Sequence, residues 1–329
     1  MKEACYYEKL DNDVVQCFLC PHHCKIRPDK AGICRVRKNI EGHLFLTSYG
    51  RISSVMLDPI EKKPLYHFLP GSYVLSVGSI GCNFHCQFCQ NWAIAHQEAP
   101  TREISSDELV ELCSNTKDNI GIAYTYNEPL IWYEYVLECS KKIKQAGLKN
   151  VLVTNGFIEE QPLKDLLPFV DAMNIDLKSF NNDYYKKTCK GALNPVLRTI
   201  EISAVSCHVE LTTLIVPGLN DSEQEMEKLS KWVASIDKDM PLHLSRYFPS
   251  YKMVLPPTPI KTLLKLREIA LNNLPYVYLG NVNGVDDNTY CPNCGNLLID
   301  RRDIPKAVGM KKMHCLQCGL KIKGVFEED

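Results

Sequence analysis

The chain has 329 residues, 45% of them hydrophobic and 23% charged, with a formal net charge of -1. That length suits one large catalytic domain with small appendages, and the balance is that of a soluble globular protein with a substantial core. No overall basic field recruits nucleic acid, no apolar run approaches the roughly 20 residues of a membrane span, and the polar start MKEACYYEKLDNDVVQ lacks the apolar core of a secretory signal.

A cytoplasmic location follows as the expectation, and it gives meaning to the sixteen cysteines. In a reducing compartment they are poor candidates for disulfide staples. Cys17, Cys20, Cys24 and Cys34 crowd the N-terminal region, Cys82, Cys86 and Cys89 form a second group, and Cys291, Cys294, Cys315 and Cys318 a third. Such short spacings are what thiolate–metal ligation produces, so three metal sites are expected. Cys5, Cys113, Cys139, Cys189 and Cys207 are scattered and read as small hydrophobes.

In chain order, residues 1–70 read as a cysteine-bearing segment followed by a β-rich connection, HLFLTSYGRISSVML. The four N-terminal cysteines, irregularly spaced, fit either zinc or an auxiliary iron–sulfur cluster, with His22 or His23 available to replace one ligand. A zinc knuckle is the slightly favoured reading. Next comes Cys82-Asn-Phe-His-Cys86-Gln-Phe-Cys89, after a predicted strand and in a loop opened by Gly81. A [4Fe–4S] cluster normally takes four thiolates. Three, with no fourth nearby, leave one iron open to a bidentate amino acid such as the amino and carboxylate groups of S-adenosylmethionine (SAM). The competing reading is a zinc site completed by His85 or His96.

From Tyr73 to about Val282, apolar runs YVLSVGSIG, GIAYTY, NVLVTNG, AMNIDL, VELTTLIVPG and PLHLSRY alternate with amphipathic stretches such as SSDELVELCSNT and EQEMEKLSKWVASI. About six strand–helix units imply a mostly parallel sheet over residues 71–286, built as a partial barrel or as a doubly wound open sheet. Ser105 with Glu108 offers a helix N-cap, and Gly147 a helix stop. Residues 287–329 form an appended module around CPNCG and CLQCG. Four thiolates at that spacing favour structural zinc, or a single iron as in rubredoxin. Arg301, Arg302, Lys306, Lys311, Lys312, Lys321 and Lys323 read as a solvated basic face, with an RNA or acidic-protein contact as the minority reading.

The pattern CxxxCxFCQN after a strand resembles the signature of the radical SAM superfamily. From CFLCPHHCKI to the YLGNV segment, the chain is similar to the branch containing pyruvate formate-lyase activating enzyme, and most similar to the AmmeMemoRadiSam-system radical SAM enzymes. The resemblance implies an α/β fold with a partial (β/α)6 TIM-like barrel, a catalytic [4Fe–4S] cluster on Cys82, Cys86 and Cys89, and SAM as cofactor. It also implies an electron donor of the flavodoxin or ferredoxin class, and Memo-type and AMMECR-type partner proteins acting on an unidentified substrate. Cofactor-binding candidates follow residue by residue. Glu128, in Tyr124-Thr125-Tyr126-Asn127-Glu128-Pro129, matches the glutamate of the SAM amino-group motif, although Thr125 to Asn127 replace its glycines. Asn155 closes the third strand beside Gly156, and Asp176 and Lys178 end the fourth.

Each candidate has a plainer reading: a helix N-terminal acid for Glu128, a strand turn for Asn155, a surface ion pair for Asp176 and Lys178. The VPG turn leaves Asn220 and Asp221 as ligand candidates, while His243, Arg246 and Tyr247 are placed at the cavity wall. Phe248 stands where the activating enzymes carry a histidine. All these motifs fall at the C-terminal ends of separate strands, which a barrel gathers into one mouth, and this favours the iron–sulfur reading over zinc. The expected reaction is reductive SAM cleavage to a 5′-deoxyadenosyl radical that abstracts hydrogen. A glycyl-radical-enzyme activating enzyme and a non-enzymatic zinc scaffold or nucleic-acid-binding protein are the alternatives.

Overall fold

A computed structural model describes residues 1–326, so 327–329 at the end of the C-terminal module lie outside the described residues. The apolar runs assemble into one sheet of β1 (Ser54–Pro59), β2 (Tyr73–Gly78), β3 (Asn119–Tyr124), β4 (Lys149–Thr154), β5 (Ala172–Asp176), β6 (His208–Ile215), β7 (Leu242–Arg246) and β8 (Val277–Gly280). Their order is β8-β7-β6-β5-β4-β3-β2-β1. Strands β2 to β8 run parallel, and β1 pairs antiparallel with β2. The order never reverses, so the sheet lacks the switch point of a doubly wound fold, and every crossover steps in one direction. The six expected strands are present. The edge strands β1 and β8 were not anticipated as members of this sheet.

Helices α1 (Ser106–Asn115), α2 (Tyr133–Gln145), α3 (Glu160–Leu166), α4 (Leu193–Ala204), α5 (Glu223–Ile236) and α6 (Ile260–Leu271) fill the crossovers. Helix α1 starts on the expected cap. The Glu108 N–H donates to Ser105 Oγ, and the Ser105 N–H donates to the Glu108 carboxylate. Such a cap contributes about 1 kcal/mol. Helix α2 stops at Gly147 (φ +77), whose N–H donates to Lys144 O. Pro162 and Pro195 both sit in a first helical turn, where the missing N–H has no intrahelical partner to lose. Central strands are buried on both faces: Ile122, Ala123 and Tyr124 of β3 and Ala172, Met173 and Ile175 of β5 have no exposure.

Two small antiparallel sheets before β1 carry the N-terminal cysteines. They are held to α2 by Arg37 and Glu134, which meet through two parallel N–H···O bonds of 2.9 Å with both side chains buried. The C-terminal module has its own core, in which Leu298, Ile299, Cys291, Cys315 and Ile322 pack on Tyr276 and Tyr278. A polar network ties this module to the underside of the sheet. Glu210 on β6 accepts from Tyr66 N (3.0 Å), His67 N (2.7 Å), His208 Nε2 (3.0 Å) and His243 Nε2 (2.6 Å). Arg301 donates to Tyr66 O and Thr289 Oγ1, and stacks over the Tyr66 ring at 4.4 Å. Arg301 is therefore an interior clamp and not part of a basic face, while Arg302 pairs with Asp300 and Lys323 with Asp237. Among the described residues no helix is long and apolar enough to cross a membrane.

Candidate active site

The C-terminal ends of the parallel strands open into one cavity of about 360 Å³, the size of a small-molecule site. Cys82, Cys86 and Cys89 line it from the loop after β2, Thr125 and Glu128 from beyond β3, and Thr154 and Asn155 from β4 and its turn. Asp176 lines it from the end of β5 and Lys178 from just beyond, Thr212 and Leu214 from β6, Ser245 from β7, and Asn281 from beyond β8. All four cofactor-binding candidates thus face the same space as the three thiols.

Local chemistry shapes the cysteine loop. Gly81 has φ +85, and a Cβ there would sit 2.6 Å from the Cys34 carbonyl, so only glycine lets the chain pass the N-terminal segment. Asn127, which also lines the cavity, braces the turn: its Oδ1 accepts from Ser79 N at 2.9 Å, and its Nδ2 donates to Gly81 O at 3.0 Å. Asn155 Nδ2 donates to Asn83 Oδ1 at 2.9 Å and lies 3.7 Å from Cys82 Sγ. Burial pushes the Cys82 thiol well up and the Cys89 thiol to about 11. Cys86 is lowered by a hydrogen bond from Cys189. Cys189, expected to be an ordinary small hydrophobe, touches the motif. It is buried and does not line the cavity.

The donor set discriminates between metals. His85 and His96 stack on each other at 4.8 Å, and neither lines the cavity, so no histidine completes a zinc site there. Among the described residues, the C-terminal cysteines are the only group of three or more ligand atoms within 4.8 Å of one another. Cys82, Cys86 and Cys89 are therefore spaced more widely than ligands of a single ion. Three such thiolates in one cavity fit a [4Fe–4S] cluster with one iron left for an outside ligand.

Glu128 is fully buried. Its Oε1 accepts from Thr154 Oγ1 (2.6 Å) and Leu130 N (2.9 Å), and its Oε2 accepts from Asn155 N (2.8 Å). It does cap the turn Pro129–Trp132, as the plainer reading held. Burial nevertheless pushes its pKa up to about 7 against those three bonds, and among the described residues no lysine or arginine pairs with it. A ligand ammonium in the cavity would supply the missing cation. Lys178 Nζ lies 2.7 Å from Asp176 Oδ2, with side-chain exposures of 13% and 35%. Burial opposes its charge, but Asp176, Cys86 and Cys189 outweigh that and hold its pKa well above the usual lysine value.

Other expectations fail on depth or direction. His243 shares a face with Ser245 but lies one step deeper, bonded to Glu210. Arg246 turns away to Thr258 O, and Tyr247 is buried with its hydroxyl on Met253 O. Asn220 does not reach the cavity; it donates to Lys178 O and Leu214 O and supports the loop beneath. Asp221 accepts from Gly218 N. Thr212, Ser245 and Asn281 were missed, although period-two alternation from Glu210 and His243 points to the first two. Lys63, also missed, lines the cavity and pairs with Asp58 at 2.8 Å.

The N-terminal cysteines all border a second, smaller pocket with His22, Arg37 and Ile131. At the C-terminus, Cys291 Sγ lies 3.5 Å from Cys318 Sγ and Cys294 Sγ 3.7 Å from Cys315 Sγ, a set that can hold one metal ion.

Residues 77–233 match the Radical SAM superfamily domain. An uncharacterized protein of Methanocaldococcus jannaschii is 45% identical over 333 residues, covering 98% of this chain and 99% of that protein. A second protein of that organism, provisionally named a glycyl-radical enzyme activating enzyme, is 30% identical over 214 residues, or 62% of this chain and 77% of that protein. The pyruvate formate-lyase-activating enzyme of Staphylococcus epidermidis is 25% identical over 172 residues, 48% of this chain and 67% of that enzyme.

Proposed function

This chain belongs to the radical SAM superfamily, and from that premise we propose that it binds SAM at a [4Fe–4S] cluster on Cys82, Cys86 and Cys89, cleaves it reductively, and abstracts hydrogen from an unidentified substrate. The observation that carries this reading is the single cavity in which, among the described residues, three thiols and no fourth cysteine face Glu128, Asn155, Asp176 and Lys178. When bound, the two cofactors supply one-electron reduction of the sulfonium and a 5′-deoxyadenosyl radical. The chain's own residues bind and orient. Glu128 takes the ligand amino group, Lys178, steadied by Asp176, pairs with its carboxylate, and Phe84, Phe88 and Leu214 keep water from the reacting end.

The one-way strand order supports describing residues 71–286 as a partial (β/α)6 TIM-like barrel with 287–329 as an appendage. The segment 1–70 is an appendage only in part, because its β1 (Ser54–Pro59) pairs with β2 as the edge strand of the same sheet. Structural zinc is proposed for the C-terminal cysteines, and a cytoplasmic flavodoxin- or ferredoxin-class protein as electron donor. Memo-type and AMMECR-type proteins are the proposed partners. A second reading, activation of a glycyl-radical enzyme, is favoured by the names of two relatives at 25% and 30% identity.

Anaerobic incubation of reconstituted protein with SAM and a strong reductant should yield 5′-deoxyadenosine. Cys86→Ala should abolish that product, and Cys113→Ala should not. No product from a cluster-replete protein would overturn the reading. Formation of a glycine-centred radical on an added glycyl-radical enzyme selects the second reading, whereas a stable complex with a Memo-type protein selects the first.

A further inference from the structure

We infer that Cys17, Cys20, Cys24 and Cys34 hold an iron–sulfur cluster, and that this cluster relays electrons from an external one-electron donor to the SAM-cleaving site. The chain carries two four-cysteine sets, and their geometries differ. Ligands of one tetrahedral zinc ion lie about 3.8 Å apart, given bonds of about 2.3 Å. The C-terminal sulfurs match that, with contacts of 3.5 and 3.7 Å. The N-terminal four converge on one pocket, yet among the described residues no three of them come within 4.8 Å of one another. That spacing is too wide for a single ion. It is shared with the central trio, where each thiolate serves its own iron. A polynuclear cluster satisfies a donor set that is both convergent and widely spaced.

An independent observation points to a ligand in the same pocket. Arg37 borders it and is 2% exposed. Its two terminal nitrogens are engaged by Glu134 and the Cys5 carbonyl, while its Nε is buried with no partner. Buried donors are rarely left unpaired. A cluster sulfide or thiolate would accept this N–H, and hydrogen bonds to sulfur are among the features that set cluster potentials.

The pocket also abuts the central cysteine loop. The Cys34 carbonyl lies where a Cβ on Gly81 would be, and Ile131, a wall of the pocket, touches the same position. His22, another wall, bonds the Asn83 carbonyl at 2.8 Å through Nε2. The Gly81–Asn83 backbone is thus in direct contact with both sites. In the relay, an external reduced flavodoxin- or ferredoxin-class protein gives one electron to the N-terminal cluster. That cluster then gives one electron to the central site and returns to its oxidised state, with no bond made or broken.

The relay rests on the radical SAM reading, whereas the metal assignment does not, so the first test avoids activity. The Cys82→Ala/Cys86→Ala/Cys89→Ala variant, reconstituted anaerobically with iron and sulfide, should retain about four irons and four sulfides per chain and give a paramagnetic signal on reduction. Adding Cys20→Ser and Cys24→Ser should remove both. An iron-free triple variant carrying zinc at the N-terminal site overturns the proposal and leaves the central reading intact. Should the triple variant not fold, the unmodified protein is compared with Cys20→Ser/Cys24→Ser, where a loss of about four irons per chain is expected and an unchanged iron content refutes the assignment. For the relay, Cys20→Ser/Cys24→Ser should lower the ratio of flavodoxin-driven to dithionite-driven SAM cleavage at least about tenfold. An unchanged ratio overturns it.

Discussion

Asn127 donates to the carbonyl of Gly81 at 3.0 Å, so the residue just before the first cysteine of the motif is anchored from the loop that follows β3. The same side chain accepts from Ser79 N. It therefore positions the loop without touching a ligand thiol. Asn127→Ala frees both ends of the turn. By analogy with other supports of metal ligands, about a 10–100-fold loss of cluster affinity or of SAM cleavage is expected. Iron retained after gel filtration and 5′-deoxyadenosine yield are the measurements, with the melting temperature as a control. Full iron and full yield in the variant would show that the brace is dispensable.

What was legible in the sequence was local. The Ser105–Glu108 cap, the Gly147 stop and the six parallel strands all follow from residues a few positions apart. The motif cysteines stood out by their spacing and the acids by the family resemblance, and their common place in one mouth followed because parallel strands end together. Depth was not legible. Period two gives the face of a strand but not the layer, so His243 was placed at the mouth when it lies beneath it on Glu210. Contacts across long sequence separations also left no trace, as with Cys86 and Cys189, or Arg301 and Tyr66. Asn127 was noted only as a lost glycine, because its bracing role depends on where the loop after β2 passes.

Glu128 gives the cavity a pH dependence. Burial raises its pKa to about 7, and only the ionised form attracts an ammonium group. SAM affinity should therefore rise as pH increases through 7 and level off above it, falling about tenfold per unit well below. Calorimetry in buffers of different ionisation heat should detect proton release on binding at pH 7. Glu128→Gln should bind more weakly with a flat profile. Its amide N–H₂ must face either Asn155 N–H or the Thr154 and Leu130 donors, a mismatch costing about 1–3 kcal/mol. The same pH slope in variant and wild type would remove Glu128 from the binding role.

His67 contributes to stability in the opposite sense from a salt-bridged histidine. It is fully buried, and burial lowers its pKa from 6.5 to about 4 despite the nearby Glu210 charge. The unfolded chain then binds the proton more readily, so the contribution is complete above pH 6.5 and is lost as pH falls toward 4. At 1.36 kcal/mol per unit it amounts to about 3 kcal/mol. Urea denaturation between pH 7 and pH 5 should show a steeper loss in wild type than in His67→Gln. Parallel curves would mean that other groups carry the acid sensitivity.

Stripping the C-terminal cysteine site of its metal should act on one module. Cys291, Cys294, Cys315 and Cys318 converge within 4.8 Å, and Cys291 and Cys315 belong to the small core that packs on Tyr276 and Tyr278. A chelator strong enough to strip this site should increase hydrogen exchange over residues 287–326 and along β8. Strands β3 to β5, with their own buried neighbours, should keep their protection. Uniform loosening of the whole chain would show that the module and the sheet form one cooperative unit.

The Arg37–Glu134 pair tests how the N-terminal segment is attached. Both charges are buried and bidentate, and Glu134 Oε1 also accepts from Cys5 N at 2.7 Å. Removing one partner leaves the other charge uncompensated away from water, so Glu134→Ala should cost about 3–5 kcal/mol. Burial also makes the pair expensive to form. Replacing both residues with apolar ones of similar size should therefore cost far less than the two single changes added together. A double-mutant cycle on chemical denaturation gives the coupling directly, and additive costs would exclude a strong pair. The same variants separate attachment from ligation. If the pair only fastens the segment to α2, the apolar double variant keeps its N-terminal metal; if Arg37 Nε is needed at the pocket, that variant loses metal while remaining folded.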